Sequence, residues 1–291
     1  MRIVDGGRFA RRWVVEGVVT QHPFDLLMEL ETEDIRLDCA ALHIARDTYP
    51  NLVFEAYLEQ LDALADDVSQ LRAGLSAAAR YQALREVLVE KAQFRGNQDD
   101  YYNPENSYLN RVLDTRLGIP ISLAIVWVEV GRRLNWPVAG VGFPGHYLVR
   151  IDDPERFVIV DAHGGGRSLS IDDCKKLLQQ QFEGKLTFTG AFLEATDTRG
   201  TLVRLLNNLR TIYSIKHDGS RLADVLRRLD AAEPGNGRHL LELADLLFRM
   251  GNVRGAQACL AESLRRQSTD EERAAVQRNF ERLQAAIAAL N

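Results

Sequence analysis

Cysteine is scarce in this sequence. Cys39, Cys174 and Cys259 stand far apart in 291 residues and are odd in number, which excludes a disulfide framework and a zinc site built on paired CxxC motifs. A reducing cytoplasm is the expected setting. Long apolar runs are missing too. The N-terminal stretch Trp13, Val14, Val15 and Gly17, Val18, Val19 is split by Glu16, too short and too charged for the core of a signal peptide. The most apolar window, 119–130, carries Glu129 and is about one third shorter than a bilayer-spanning helix, so no membrane span is expected. An excess of basic charge is also absent. Lys and Arg number 36 against 41 Asp and Glu, a net charge of −5, which argues against nucleic acid as a partner. The charge is uneven, +3 from residue 200 onward and −8 before it, which points to two units.

What is present is an ordinary globular composition, 46% hydrophobic and 26% charged, enough to bury a core. Over residues 34–90 apolar residues recur at helical spacing: Ile35, Leu37, Leu42, Ile44; Leu52, Phe54, Tyr57, Leu58, Leu61; Tyr81, Leu84, Val87, Leu88. Three helices are expected, the first two interrupted at Pro50 and the third capped near Ser76. No catalytic spacing falls inside them, so they read as a lid or support. Residues 94–118 are polar and rich in Asn, with a helix expected from about Pro104 that places Asn106 and Asn110 on one face. Next, Pro120 sets the first turn of a helix that is apolar nearly all round and therefore buried. Ser122 lies in that first turn, where free backbone N–H groups and the positive dipole end suit a developing anion.

After Pro137 the pattern turns extended. Runs at 138–141, 146–151 and 157–160 predict an antiparallel sheet of three strands, with the glycines at 164–166 ending the third as a loop. Of six histidines, only His146 and His163 lie in this mixed region. Asp161 lies 15 residues beyond His146, and paired neighbouring strands bring the two alongside each other, so the carboxylate can orient the imidazole. Ser122 at a helix start supplies the third member. No metal or nucleotide signature appears, and cofactor-free action is expected.

The last third carries an internal echo. Leu209, Tyr213, Leu222, Leu226, Leu229 and Pro234 are matched by Leu243, Leu247, Ala256, Leu260, Ser263 and Ser268, each 34 positions on, the period of helix–turn–helix repeats. The second copy, with Ala244, Leu247, Gly251, Ala256 and Leu260, resembles the tetratricopeptide pattern, and a last helix over about 270–290 is expected to cap the stack. The reading is α+β: an N-terminal extension over 1–30, a core with its helical front over 31–199, and all-α repeats over 200–291.

Taken together, residues 103–130 with GIPIS at 118–122, GFPGH at 142–146, Val160 with Asp161, and Gly164 with Gly165 resemble the transglutaminase-like core of the SirB-type family, in which tetratricopeptide repeats follow that core. The resemblance covers roughly 30–290 and implies a papain-like or transglutaminase-like fold with catalytic positions at Ser122, His146 and Asp161. In transglutaminase-like enzymes the helix-start nucleophile is Cys. A hydroxyl does not ionise beside an imidazole as a thiol does. The favoured expectation is therefore a non-catalytic, regulatory module that binds an unidentified protein or peptide. The alternative is a serine-type hydrolase or acyltransferase acting on an amide or ester, with Ser122 as nucleophile, His146 as base and Asp161 as its orienter.

Overall fold

The computed structural model describes residues 22–266, the backbone of Trp13–Val15 and Val18–Thr20, and helical residues at 277–278, 280–282 and 285. It divides into two units, one of Arg36–Ile212 and the other of Tyr213–Asn291 with Met1–Ile35. The chain opens with an antiparallel pair, β1 (Trp13–Val15) and β2 (Val18–Thr20), and a short helix α1 (Pro23–Leu27).

The larger unit begins with the three expected helices, α2 (Leu37–Arg46), α3 (Phe54–Gln70) and α4 (Ala77–Arg85). Ser76 caps α4 by accepting the Ala79 N–H, the usual service of a serine at that position, and the helix runs on as a π-helical turn over Glu86–Lys91. The polar segment holds β3 (Arg95–Gly96), a 3-10 turn (Pro104–Ser107), α5 (Leu109–Thr115) and β4 (Leu117–Gly118), with β3 and β4 pairing in parallel. Asn106 and Asn110 do not share a helix face, contrary to expectation. The 3-10 turn and α5 are separated at Tyr108, whose backbone is extended.

Helix α6 (Pro120–Arg133) is buried along almost its whole length, as its unbroken apolar sequence requires. Beside it lie four antiparallel strands in sequence order, β5 (Val138–Val141), β6 (Leu148–Asp152), β7 (Phe157–Asp161) and β8 (Arg167–Leu169). Three strands were expected; the fourth is too short and polar to register as a periodic run. Glycines 164–166 end the third strand and turn the chain into the fourth. Gly165 and Gly166 both have positive φ, +75° and +66°, a conformation only glycine adopts without strain. Strand alternation gives the sheet two apolar faces. Leu148, Ile159 and Leu169 pack with Cys174 and Leu178 of α7 (Ile171–Phe182), and Val149 and Val160 are buried on the opposite face. The antiparallel sheet among helices is an α+β fold, as expected.

Helix α8 (Thr198–Ile215) crosses the division between Ile212 and Tyr213, with its last three residues in the smaller unit. The smaller unit continues with α9 (Gly219–Ala232), α10 (Arg238–Arg249) and α11 (Val253–Arg266). Arg228 of α9 donates to Asp25 of α1 at 2.8 Å in a buried pair. In five of the six pairs 34 positions apart both members are buried, so the periodicity there marks the inward faces of these helices; Pro234, of the sixth, is exposed between α9 and α10, and its match Ser268 lies outside the described residues. The expected final helix over 270–290 lies mostly outside the described residues. Among those described, no helix is long and apolar enough to cross a membrane.

Candidate functional site

Ser122 is the third residue of α6, behind Pro120 at its start. The residue is 1% exposed and its hydroxyl is fully committed. It donates to the Asn106 carbonyl at 2.5 Å and accepts the Ile119 N–H at 3.1 Å. Asn106 is itself fastened, its amide donating to the Asp100 carbonyl at 2.6 Å and accepting from Asn97 at 3.0 Å. The polar segment is thus tied to the start of α6 through one hydroxyl.

His146 sits in the turn before β6, its own N–H donating to the Phe143 carbonyl at 3.0 Å, rather than at a strand start. Its Nε2 lies 3.0 Å from Asp161 Oδ1. The strand register explains the meeting. Val149 pairs with Val160, so the next step of the ladder places Asp161 level with Leu148, two residues from His146. Asp161 Oδ1 also accepts the Gly164 N–H at 2.8 Å, and Oδ2 lies 3.4 Å from the Arg167 guanidinium. Burial pushes the Asp161 carboxyl upward, but the His146 hydrogen bond and charge, the Gly164 N–H and Arg167 together hold it below the usual carboxylate range. It is an ionised orienter.

The structure therefore brings two of the three expected residues together. Ser122 and His146 share no hydrogen bond among the described residues. His146 and Asp161 have the relation of base and orienter, whereas the hydroxyl is held by main-chain groups at the foot of α6.

His163 joins the site without having been assigned a role from sequence. Extending the β6–β7 register by two further residues sets His163 opposite His146, and their rings meet edge to face at 6.3 Å between centroids. Tyr101 meets the other side of His163 at 6.0 Å. Burial, and after it the neighbouring His146, lower the His163 pKa against a smaller opposing pull from Asp161. That keeps the ring neutral near pH 7. The signal was available, because positions 146 and 163 are opposed once Val149 and Val160 are paired.

A cleft of about 700 Å³ opens beside these groups, lined by residues 95–99, Leu117, Asp161, His163, Gly164, Gly165 and Arg167. The three cysteines take no part, and burial pushes each thiol up to about 11, far from a nucleophile's range at neutral pH. Among the described residues no three His, Cys, Asp or Glu side chains form a metal-ligand set.

Comparison with known proteins agrees with the fold. The family model of the transglutaminase-like superfamily matches residues 55–207, which takes in α3 from its second residue, α4, α6, the sheet and the first ten residues of α8. A UPF0162 protein of Xylella fastidiosa is 33% identical over 241 residues, covering 79% of this chain and 84% of the relative. A UPF0162 protein of Pseudomonas aeruginosa is 34% identical over 205 residues, 69% and 73% of the two chains. F-box only protein 21 of Mus musculus is 29% identical over 228 residues, 75% of this chain but 34% of that protein. With more than half its length matched and relatives of this closeness, the chain belongs to the transglutaminase-like superfamily and to the UPF0162 proteins within it.

Proposed function

We propose that this protein is a non-catalytic regulatory module of the SirB type, working in the cytoplasm, in which a transglutaminase-like cleft binds a peptide or protein segment. The helical hairpins of α8 to α11 act as tetratricopeptide-like repeats that hold a partner protein. Nucleic acid and membrane are not its partners. The observation that carries this reading is the commitment of the Ser122 hydroxyl. It is buried, donates its one proton to the Asn106 carbonyl and braces the Ile119 N–H, the behaviour of a structural serine at a helix start. A hydroxyl donating its proton to a main-chain carbonyl has no base to take that proton during an attack.

One observation favours the other reading, in which Ser122, His146 and Asp161 transfer or hydrolyse an acyl group on an amide or ester. The His146–Asp161 pair is intact at 3.0 Å. That mechanism requires the Ser122 Oγ to leave Asn106 and reach the imidazole. A fluorophosphonate probe separates the two. Wild-type protein and Ser122→Ala are expected to remain equally unlabelled; labelling of wild type that vanishes in the variant would establish the acyl-transfer reading instead.

A further inference from the structure

Two segments line the cleft through glycines, the segment at 95–99 through Gly96 and the other through Gly164 and Gly165. The Asp161 carboxylate lies against Gly164, whereas nothing stands within 4 Å of where a side chain would begin at Gly165. Strand β3 uses one of its two edges. In a parallel ladder, alternate residues turn their main-chain groups toward the partner strand. The Arg95 N–H donates to the Arg116 carbonyl at 2.9 Å and the Asn97 N–H to the Gly118 carbonyl at 3.0 Å, so the N–H and C=O of Gly96 between them face away from β4. No hydrogen bond among the described residues reaches either group. An open strand edge of this kind is a template for another strand.

His163 supplies an independent observation. Its Nε2 is buried without a hydrogen-bond partner, and its ring covers Gly96 so closely that a Cβ there would stand 2.4 Å from it. A nitrogen shielded from water and unmet by protein is stabilised by any ligand group that reaches it. The fixed charges of the wall balance, Arg95 and Arg167 against Asp99 and Asp161, so main-chain pairing rather than net charge selects the occupant.

We infer that the cleft takes an extended peptide, uncharged over the contacting stretch, whose main chain pairs with the N–H and C=O of Gly96 as an added strand while one of its polar groups meets His163 Nε2. This rests on the binding reading above and specifies how that site recognises its ligand. The glycine is then doubly required, since a side chain at position 96 would strike His163.

The test uses the full chain to select binders from a phage-displayed nonapeptide library. A selected peptide is then resynthesised with each main-chain N–H replaced in turn by N-methyl. Affinity is expected to fall about tenfold, roughly one hydrogen bond, at one or two bonds and to hold at their immediate neighbours, because alternate residues of a strand face the edge. The Gly96 amide should exchange more slowly with peptide bound, and His163→Ala should weaken binding several-fold. Uniform tolerance of N-methylation, enrichment of charged sequences only, or protection outside 95–99 overturns the inference and leaves the binding reading intact. Recovery of no binding peptide overturns both.

Discussion

Replacing Ser122 by alanine asks directly whether the hydroxyl holds the structure together or does chemistry. In the folded chain the oxygen satisfies two buried main-chain groups, the Asn106 carbonyl at 2.5 Å and the Ile119 N–H at 3.1 Å, in surroundings where water does not reach. Deleting it leaves the carbonyl with only a long contact to the Ile119 N–H at 3.4 Å. Leaving buried groups under-satisfied costs about 1–3 kcal/mol, and loss of a helix-start hydroxyl about 1 kcal/mol. A cost of about 2 kcal/mol is therefore expected, a fall in melting temperature of roughly 4–8 °C for a body of this size. The assay is urea unfolding followed by tryptophan emission, since Trp127 is buried on the same helix and reports the larger unit. Peptide binding measured well below the transition should be unchanged. A variant as stable as wild type that has lost a biochemical activity would refute the structural role and restore the nucleophile.

Two further outcomes follow from the ion pairs. Asp161 has a folded pKa below its unfolded value, so its contribution to stability is fully present above the unfolded pKa, about 3.9, and disappears as pH falls through the folded value. The stability gap between wild type and Asp161→Asn should accordingly narrow as pH falls below about 4. A gap that goes on widening below about pH 4 would contradict the assignment. Arg133 donates to Asp38 at 2.8 Å and to Glu129 at 2.7 Å, two carboxylates that are fully buried. Arg133→Met should cost about 3–5 kcal/mol, because it strands both buried carboxylates without their best cation; denaturant titration giving under about 1 kcal/mol would mean that Arg36 and Arg132 already suffice.

Much of this protein was legible as pattern. The periodicity of 34–90 marked α2 to α4, the Pro120 start and unbroken apolar run marked α6 as a buried helix, and the 34-residue echo marked the inward faces of α8 to α11. Each of these is a local property, fixed by the spacing of apolar residues against a 3.6-residue turn. The His146–Asp161 meeting was legible as well, since two strands joined by a short turn have their register set within the segment itself.

Tertiary structure alone decided the rest. The β3–β4 pair joins Arg95 to Leu117 across an intervening helix, and two-residue strands carry no period to read. It put Gly96 under the His163 ring and left one strand edge open on the cleft. Whether a serine at a helix start faces an imidazole or a carbonyl depends on which distant segment packs there; here Asn106, 16 residues upstream, took the hydroxyl. Spacing dictates which elements form and which faces they bury, while the partner of a single polar atom is settled only when separate elements close upon one another.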